Sequence, residues 1–115
     1  MLIKRNEMKT EVKEKMRGGE GKAQLVYLVD CENEKNIRLL AEITLMPGCS
    51  IGSHSHEAET EYFVILSGEG MVNDNGTEKP VKAGDTMITG NGAAHSIRNN
   101  GSVPLVFHAI IVTYK

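Results

Sequence analysis

Residues 48–68 read GCSIGSHSHEAETEYFVILSG, and this stretch decides the fold. His54 and His56 are two residues apart, so on an extended strand both imidazoles point to the same face. Two neutral imidazoles held side by side are a ready half-site for a divalent transition metal. Glu61 has the opposite parity and joins them only if the chain bends, and Glu57-Ala58-Glu59-Thr60 is the expected bend. Glu61 then opens the run EYFVIL, pointing inward with Phe63 and Ile65. A carboxylate at the head of an apolar strand is costly to bury unless something compensates its charge, and a metal ion would do so. Glu57 and Glu59 are the rival carboxylates, expected in the bend and closer to solvent.

A second cluster reads Gly84-x5-Gly90-x-Gly92-x2-His95-x3-Asn99. His95 follows the loop GNGAA and begins the strand HSIRN, which a barrel would bring beside the first cluster. The remaining histidine, His108 in VFHAIIV, reads either as a donor or base at the barrel mouth or as a half-buried residue with a local partner. Arg38 and Tyr62 lie on strands near the site, and packing or surface contact is expected of both.

Outward from these clusters the chain reads as short strands between tight turns. Twelve glycines and the lack of a 3.6-residue period after residue 20 support that reading. Residues 22–29 and 37–46 are predicted strands. In the second, Leu39, Ala41, Ile43 and Leu45 share one face, with Arg38, Glu42 and Thr44 on the other. Pro47-Gly48 stops it. Asp74-Asn75-Gly76 predicts a hairpin, since Asn-Gly accepts positive φ. Turns at 67–70 and 82–85 and at Asn99-Asn100-Gly101 separate the later strands. Residues 61–66 and 104–113 are apolar on both faces, which predicts strands covered on both sides and hence a homodimer. Residues 9–16 read as a helical turn or an edge strand, and 17–21 (RGGEG) as a flexible turn, or else an anion-binding nest. At 115 residues the expectation is one all-β domain, with a barrel over 22–115 and an N-terminal segment, 1–21, whose structure stays open.

Composition narrows the partners. Thirteen basic against fifteen acidic residues, with no basic patch, argue against nucleic acid. No apolar stretch reaches the ~18 residues of a transmembrane helix. The first fifteen residues mix charges without an apolar core, so no secretory signal is read and a cytoplasmic location is expected. Cys31 and Cys49 are distant and unpatterned, and read as free thiols.

The two clusters together resemble the paired motifs of the cupin superfamily, G-x5-HxH-x3,4-E-x6-G and G-x5-PxG-x2-H-x3-N. The match runs from Gly48 to Asn99 and departs at Gly90, where the family usually has proline; a looser loop before His95 is expected there. The chain as a whole is similar to small single-domain microbial cupins described as oxalate-decarboxylase-like. That resemblance implies a jelly-roll β-barrel (a double-stranded β-helix), commonly dimeric, with His54, His56, Glu61 and His95 on one metal ion.

Three neutral imidazoles and one carboxylate leave a divalent ion with a net charge of about +1, and manganese, iron, zinc and nickel all suit the donors. Four protein ligands leave positions open on an octahedral ion, which favours a small anionic or chelating partner. The leading expectation is a metal-dependent enzyme acting on a small oxygen-rich or carboxylate-bearing molecule by oxidation, decarboxylation or isomerisation. The other is a non-catalytic module that binds a metal and a small ligand for storage or sensing. No general acid or base beyond the ligands is assignable from sequence.

Overall fold

The computed structural model describes all 115 residues. In chain order the strands are β1 (Thr10–Glu14), β2 (Lys22–Tyr27), β3 (Ile37–Leu45), β4 (Ser50–Ser55), β5 (Glu59–Ser67), β6 (Glu69–Asp74), β7 (Thr77–Lys82), β8 (Thr86–Gly90), β9 (Ala94–Arg98) and β10 (Leu105–Thr113). They form two antiparallel sheets, β1-β2-β3-β10-β5-β8 and β4-β9-β6-β7. Helical structure is confined to three short 3-10 turns, and no helix is long and apolar enough to cross a membrane. This is the jelly-roll architecture the sequence predicts.

Period-two alternation builds the core. Ala41, Ile43 and Leu45 of β3 and Leu105, Phe107 and Ala109 of β10 are fully buried between the sheets. Each large apolar side chain buried this way contributes roughly 1.5–3 kcal/mol. Asn75 and Gly76 both take positive φ in the two-residue β6–β7 turn, as a type I′ hairpin requires. Pro80 is tolerated because β7 is an edge strand. Asn99, also fully buried, donates to the carbonyls of Leu45 and Val103 at 2.8 Å and accepts from Gly101 N–H. It ties the end of β9 to the end of β3 and to the loop that precedes β10.

Several expectations change. Residues 10–14, left open between helix and strand, form the edge strand β1, so the sheet begins before residue 22. The glycine-rich segment at 17–21 is a turn, with Arg17, Gly18 and Gly21 at positive φ, and it is packed rather than free. It lies against β4, where Ser50 N–H donates to Glu20 O and Glu20 N–H to Ser50 Oγ, both at 2.8 Å. A Cβ at Gly19 would strike the Ser50 carbonyl, and one at Gly52 the Arg17 carbonyl. Only glycine permits the two backbones to come this close.

Gly90 does not loosen its loop either. Ala93 N–H donates to Gly90 O, Gly92 N–H to His56 O, and His56 N–H to Ala93 O. A Cβ at 90 would sit 2.5 Å from Thr60 Oγ1 on the neighbouring strand. The glycine therefore leaves room for Thr60, while the loop itself is pinned to the backbone of His56.

Because a Cβ at Gly52 would collide with backbone rather than with a movable side chain, Gly52→Ala should cost about 2 kcal/mol or more, whereas Ser53→Ala should stay within about 0.5 kcal/mol. Urea melts of both variants measure this, and a Gly52→Ala protein as stable as wild type contradicts the packing described.

Candidate metal centre

Two register shifts aim the side chains of the site. On the β4–β9 pair, Ile51 lies opposite Ile97 and His54 opposite His95, so β4 carries one extra residue between them. Without that bulge, His54 would have the opposite parity to the buried Ile51 and would face outward. With it, His54 turns in. Its Nδ1 lies 2.8 Å from the Gly52 carbonyl within the bulge and donates to it.

The second shift is on β3. Ile111 of β10 pairs with Leu39 and Val112 with Ile37, which leaves Arg38 as the extra residue. Alternation placed Arg38 on the outer face with Glu42 and Thr44. Instead it lines the cavity with His54, His56 and Glu61 and makes a two-pronged contact with Glu59, Nε–Oε1 at 3.0 Å and Nη2–Oε2 at 2.8 Å.

The four residues singled out from spacing converge. The Nε2 atoms of His54 and His95 are 3.0 Å apart, as are those of His56 and His95. Glu61 enters from β5 on the opposite sheet, its Oε1 2.8 Å from His56 Nε2, 2.9 Å from His95 Nε2 and 3.6 Å from His54 Nε2. All the donor atoms lie within 4.8 Å of one another, and this group could hold a metal ion. The bend that brings Glu61 round is shorter than expected, with Ala58 at positive φ and β5 already under way at Glu59. Glu59 is therefore not a solvent-facing turn residue. It lies on the strand, and its Oε2 is 2.6 Å from His56 Nδ1.

The donor set fits a cation. With Nδ1 of His54 facing a carbonyl and Nδ1 of His56 a carboxylate, each ring is left with Nε2 to turn toward the cluster. Those Nε2 atoms and the Glu61 carboxylate face one another at the foot of a cavity, a donor set suited to a cation. The 3.0 Å spacings match adjacent donors at right angles on one ion with bonds of about 2.1 Å. His95 Nδ1 is buried without a hydrogen-bond partner, and its ring is held by stacking on Phe63, centroids 4.6 Å apart and 13° from parallel.

Electrostatics point the same way. Burial alone would raise the Glu61 carboxyl, but the imidazoles of His54, His95 and His56 that face it outweigh the burial and bring the pKa down to about 2. Burial lowers the His95 imidazole, and the pull of Glu61 does not make up the difference. At neutral pH the pocket thus holds an ionised carboxylate beside a His95 that resists protonation.

Of the other residues raised by the sequence, His108 faces away from the site on β10, with Nε2 3.6 Å from Glu42 Oε1 on the outer surface. Tyr62 also points outward, between Ile88 and Ile110. Glu57 stays exposed in the bend. Sequence reasoning missed the roles of Glu59 and Arg38. The shared parity of Glu59 and Glu61 was a usable signal for the first; the bulge that turns Arg38 left none.

The family profile described as Cupin domain matches residues 41–112, a span that holds all four donors. The chain belongs to the cupin family. An oxalate-binding protein of Thermotoga maritima is 42% identical over 113 residues, covering 97% of this chain and 93% of that one. A crystal structure from the same organism, described as a predicted oxalate decarboxylase, superposes with a TM-score of 0.93 at 41% identity, over 98% and 99% of the two chains. A polyketide cyclase from Streptomyces resistomycificus shares the fold alone, at 17% identity and a TM-score of 0.78, over 100% of this chain and 80% of that one.

In this cupin a cavity of about 560 Å³ opens onto the cluster. Lys13, Lys15, Arg17 and Arg38 are among its lining residues. Of its acids, Glu11 accepts from Tyr27 and Glu61 belongs to the cluster, while Glu14 is exposed at the rim, 3.8 Å from Lys22. A larger groove of about 940 Å³, beside the N-terminal segment, includes Glu7, Asp30, Glu32 and Glu34 in its wall and holds none of the four donors. An anion has reason to prefer the smaller cavity.

Glu61, with a pKa below its ordinary 4.5, contributes stability that is present above pH 4.5 and lost as pH falls toward about 2. His95, lowered below 6.5, adds a loss in the same direction, because below 6.5 the unfolded chain takes up that proton more readily. Metal-free protein should therefore weaken steadily on acidification from about pH 6.5, and Glu61→Gln should flatten the part below pH 4.5. Chemical melts across this range read the effect; a wild-type profile that is flat or rises toward acid contradicts it.

Proposed function

We propose that the chain, acting as one domain, is a metal-dependent binder of small dicarboxylates such as oxalate, with His54, His56, Glu61 and His95 as the ligands of one divalent ion. The observation that carries this reading is the convergence of Nε2 atoms on an ionised carboxylate beneath a cavity rimmed by lysine and arginine. A bound divalent ion would supply Lewis acidity and positions for a chelating anion. The protein's own groups do the rest. Lys13, Arg17 and Arg38 draw a small anion to the mouth, and Leu25 and Ile111 form apolar wall beside the donors. The oxalate-binding relative supports this substrate class. Mn, Fe, Zn and Ni remain compatible with the donors.

Binding is put ahead of catalysis on the strength of the oxalate-binding relative, which is 42% identical over 97% of this chain. The second reading, a metal-dependent enzyme on the same class of molecule, draws on the positions that four protein ligands leave open on an octahedral ion. The free thiols Cys31 and Cys49 suit the reducing, cytoplasmic setting expected from sequence.

We also propose a homodimer. Ile88, Tyr62, Ile110 and Leu40 form one apolar row across β8, β5, β10 and β3 on the outer face, and Ile88 is 61% exposed. A second copy of the chain is the cover proposed for this face.

Protein purified under metal-replete conditions should carry about one equivalent of divalent metal per chain, and His54→Ala or His95→Ala should lose it. Calorimetry should then show oxalate binding to the loaded protein and not to the metal-free one; equal binding to both overturns the metal-dependent reading. Oxalate turnover by the loaded protein, followed with and without oxygen, would move the conclusion to the enzyme.

In sedimentation the wild type should run at twice its 12.6 kDa chain mass and Ile88→Lys at the single mass. A wild-type monomer contradicts the dimer.

A further inference from the structure

His56 is the donor whose ring has least support from the strands. It lies one residue past the end of β4, where two backbone hydrogen bonds to the loop at 92–93 hold its main chain and leave the ring to be oriented by its own contacts. Its side chain is nonetheless buried, and one contact of its ring faces away from the cluster: Nδ1 to Glu59 Oε2 at 2.6 Å. Glu59 is in turn gripped by Arg38, one prong to each carboxylate oxygen. A carboxylate gripped by a guanidinium on both oxygens faces the ring as an acceptor.

We propose that Glu59, clamped by the bulged Arg38, is a positioning residue that fixes His56 in the tautomer protonated at Nδ1, leaving Nε2 open toward Glu61 and His95. The other tautomer would put an N–H in the middle of the donor set, where a cation could not be ligated. The assignment divides the labour around the cluster. His54 is oriented by the Gly52 carbonyl, His95 by stacking on Phe63, and His56 by a carboxylate–arginine pair. A carboxylate behind an imidazole also raises its basicity as a ligand, and losing such a partner typically lowers metal affinity 10–100-fold. The Arg38–Glu59 pair spans β3 and β5 across β10, so both sides of the six-stranded sheet meet behind this one ring. The metal half of the inference rests on the proposed metal site; the tautomer half does not.

The test therefore has two arms. In metal-free protein at alkaline pH, the 15N shifts of the His56 ring report which nitrogen carries the proton. Wild type should show it on Nδ1, and Glu59→Gln, whose amide can turn an N–H toward Nδ1, should move it wholly or partly to Nε2. In the second arm, cobalt(II) titration should give a 10–100-fold weaker affinity for Glu59→Gln, with an altered cobalt absorption spectrum. Arg38→Lys, which keeps the charge but loses the fork, should fall between that variant and wild type. Thermal melts of the metal-free variants check that folding is intact. A wild-type His56 protonated at Nε2 overturns the proposal, as does a folded Glu59→Gln protein with wild-type affinity and spectrum. If wild type binds no cobalt while His56 holds its proton on Nδ1, the metal reading fails and the role of Glu59 in setting the tautomer stands.

Discussion

A buried carboxylate needs positive charge or donors against it, and this protein gathers three imidazoles around one. Glu61 Oε1 sits within 2.9 Å of two imidazole nitrogens, and neighbouring Nε2 atoms approach to 3.0 Å. Moving a carboxylate out of water costs several kcal/mol unless such partners offset it. The cluster is held together by the surrounding frame. What makes it a candidate metal centre is also what makes the frame necessary.

That frame is largely backbone. The bulge on β4 turns His54 inward and offers it a carbonyl, and the glycine-rich loop at 17–21 presses on that bulge where no side chain fits. The loop before His95 is tied to His56 by two backbone hydrogen bonds, so the two histidines are placed relative to each other by the chain itself. Glu61 arrives from the opposite sheet with Phe63 two residues behind it, and Phe63 stacks on His95. Each donor is located by a contact that also serves the core.

Family membership sets the fold and the donor cluster but leaves the chemistry open, since a polyketide cyclase shares the same barrel at low identity. What this chain adds over its donors is a rim that carries Lys13, Lys15, Arg17 and Arg38.

The fold and the donors were largely legible in the sequence. Alternation in 37–45, the Asn75-Gly76 turn and the spacings from Gly48 to Asn99 are local properties, and local sterics and hydrophobic periodicity encode them directly. That His54, His56, Glu61 and His95 gather was legible through the resemblance of their spacing to the cupin motifs. The aim of individual side chains was not. Strict alternation points Arg38 outward and gives His54 the parity opposite to Ile51, and in both cases one extra residue in a strand reverses the outcome. A bulge is decided by what packs on the strand from elsewhere in the chain. Here the Arg17 carbonyl lies against Gly52, and Glu59, twenty-one residues away in sequence, receives Arg38. Sequence by itself determined which residues could gather; only the tertiary structure decided which way they turn, because that direction depends on contacts between strands distant in the chain.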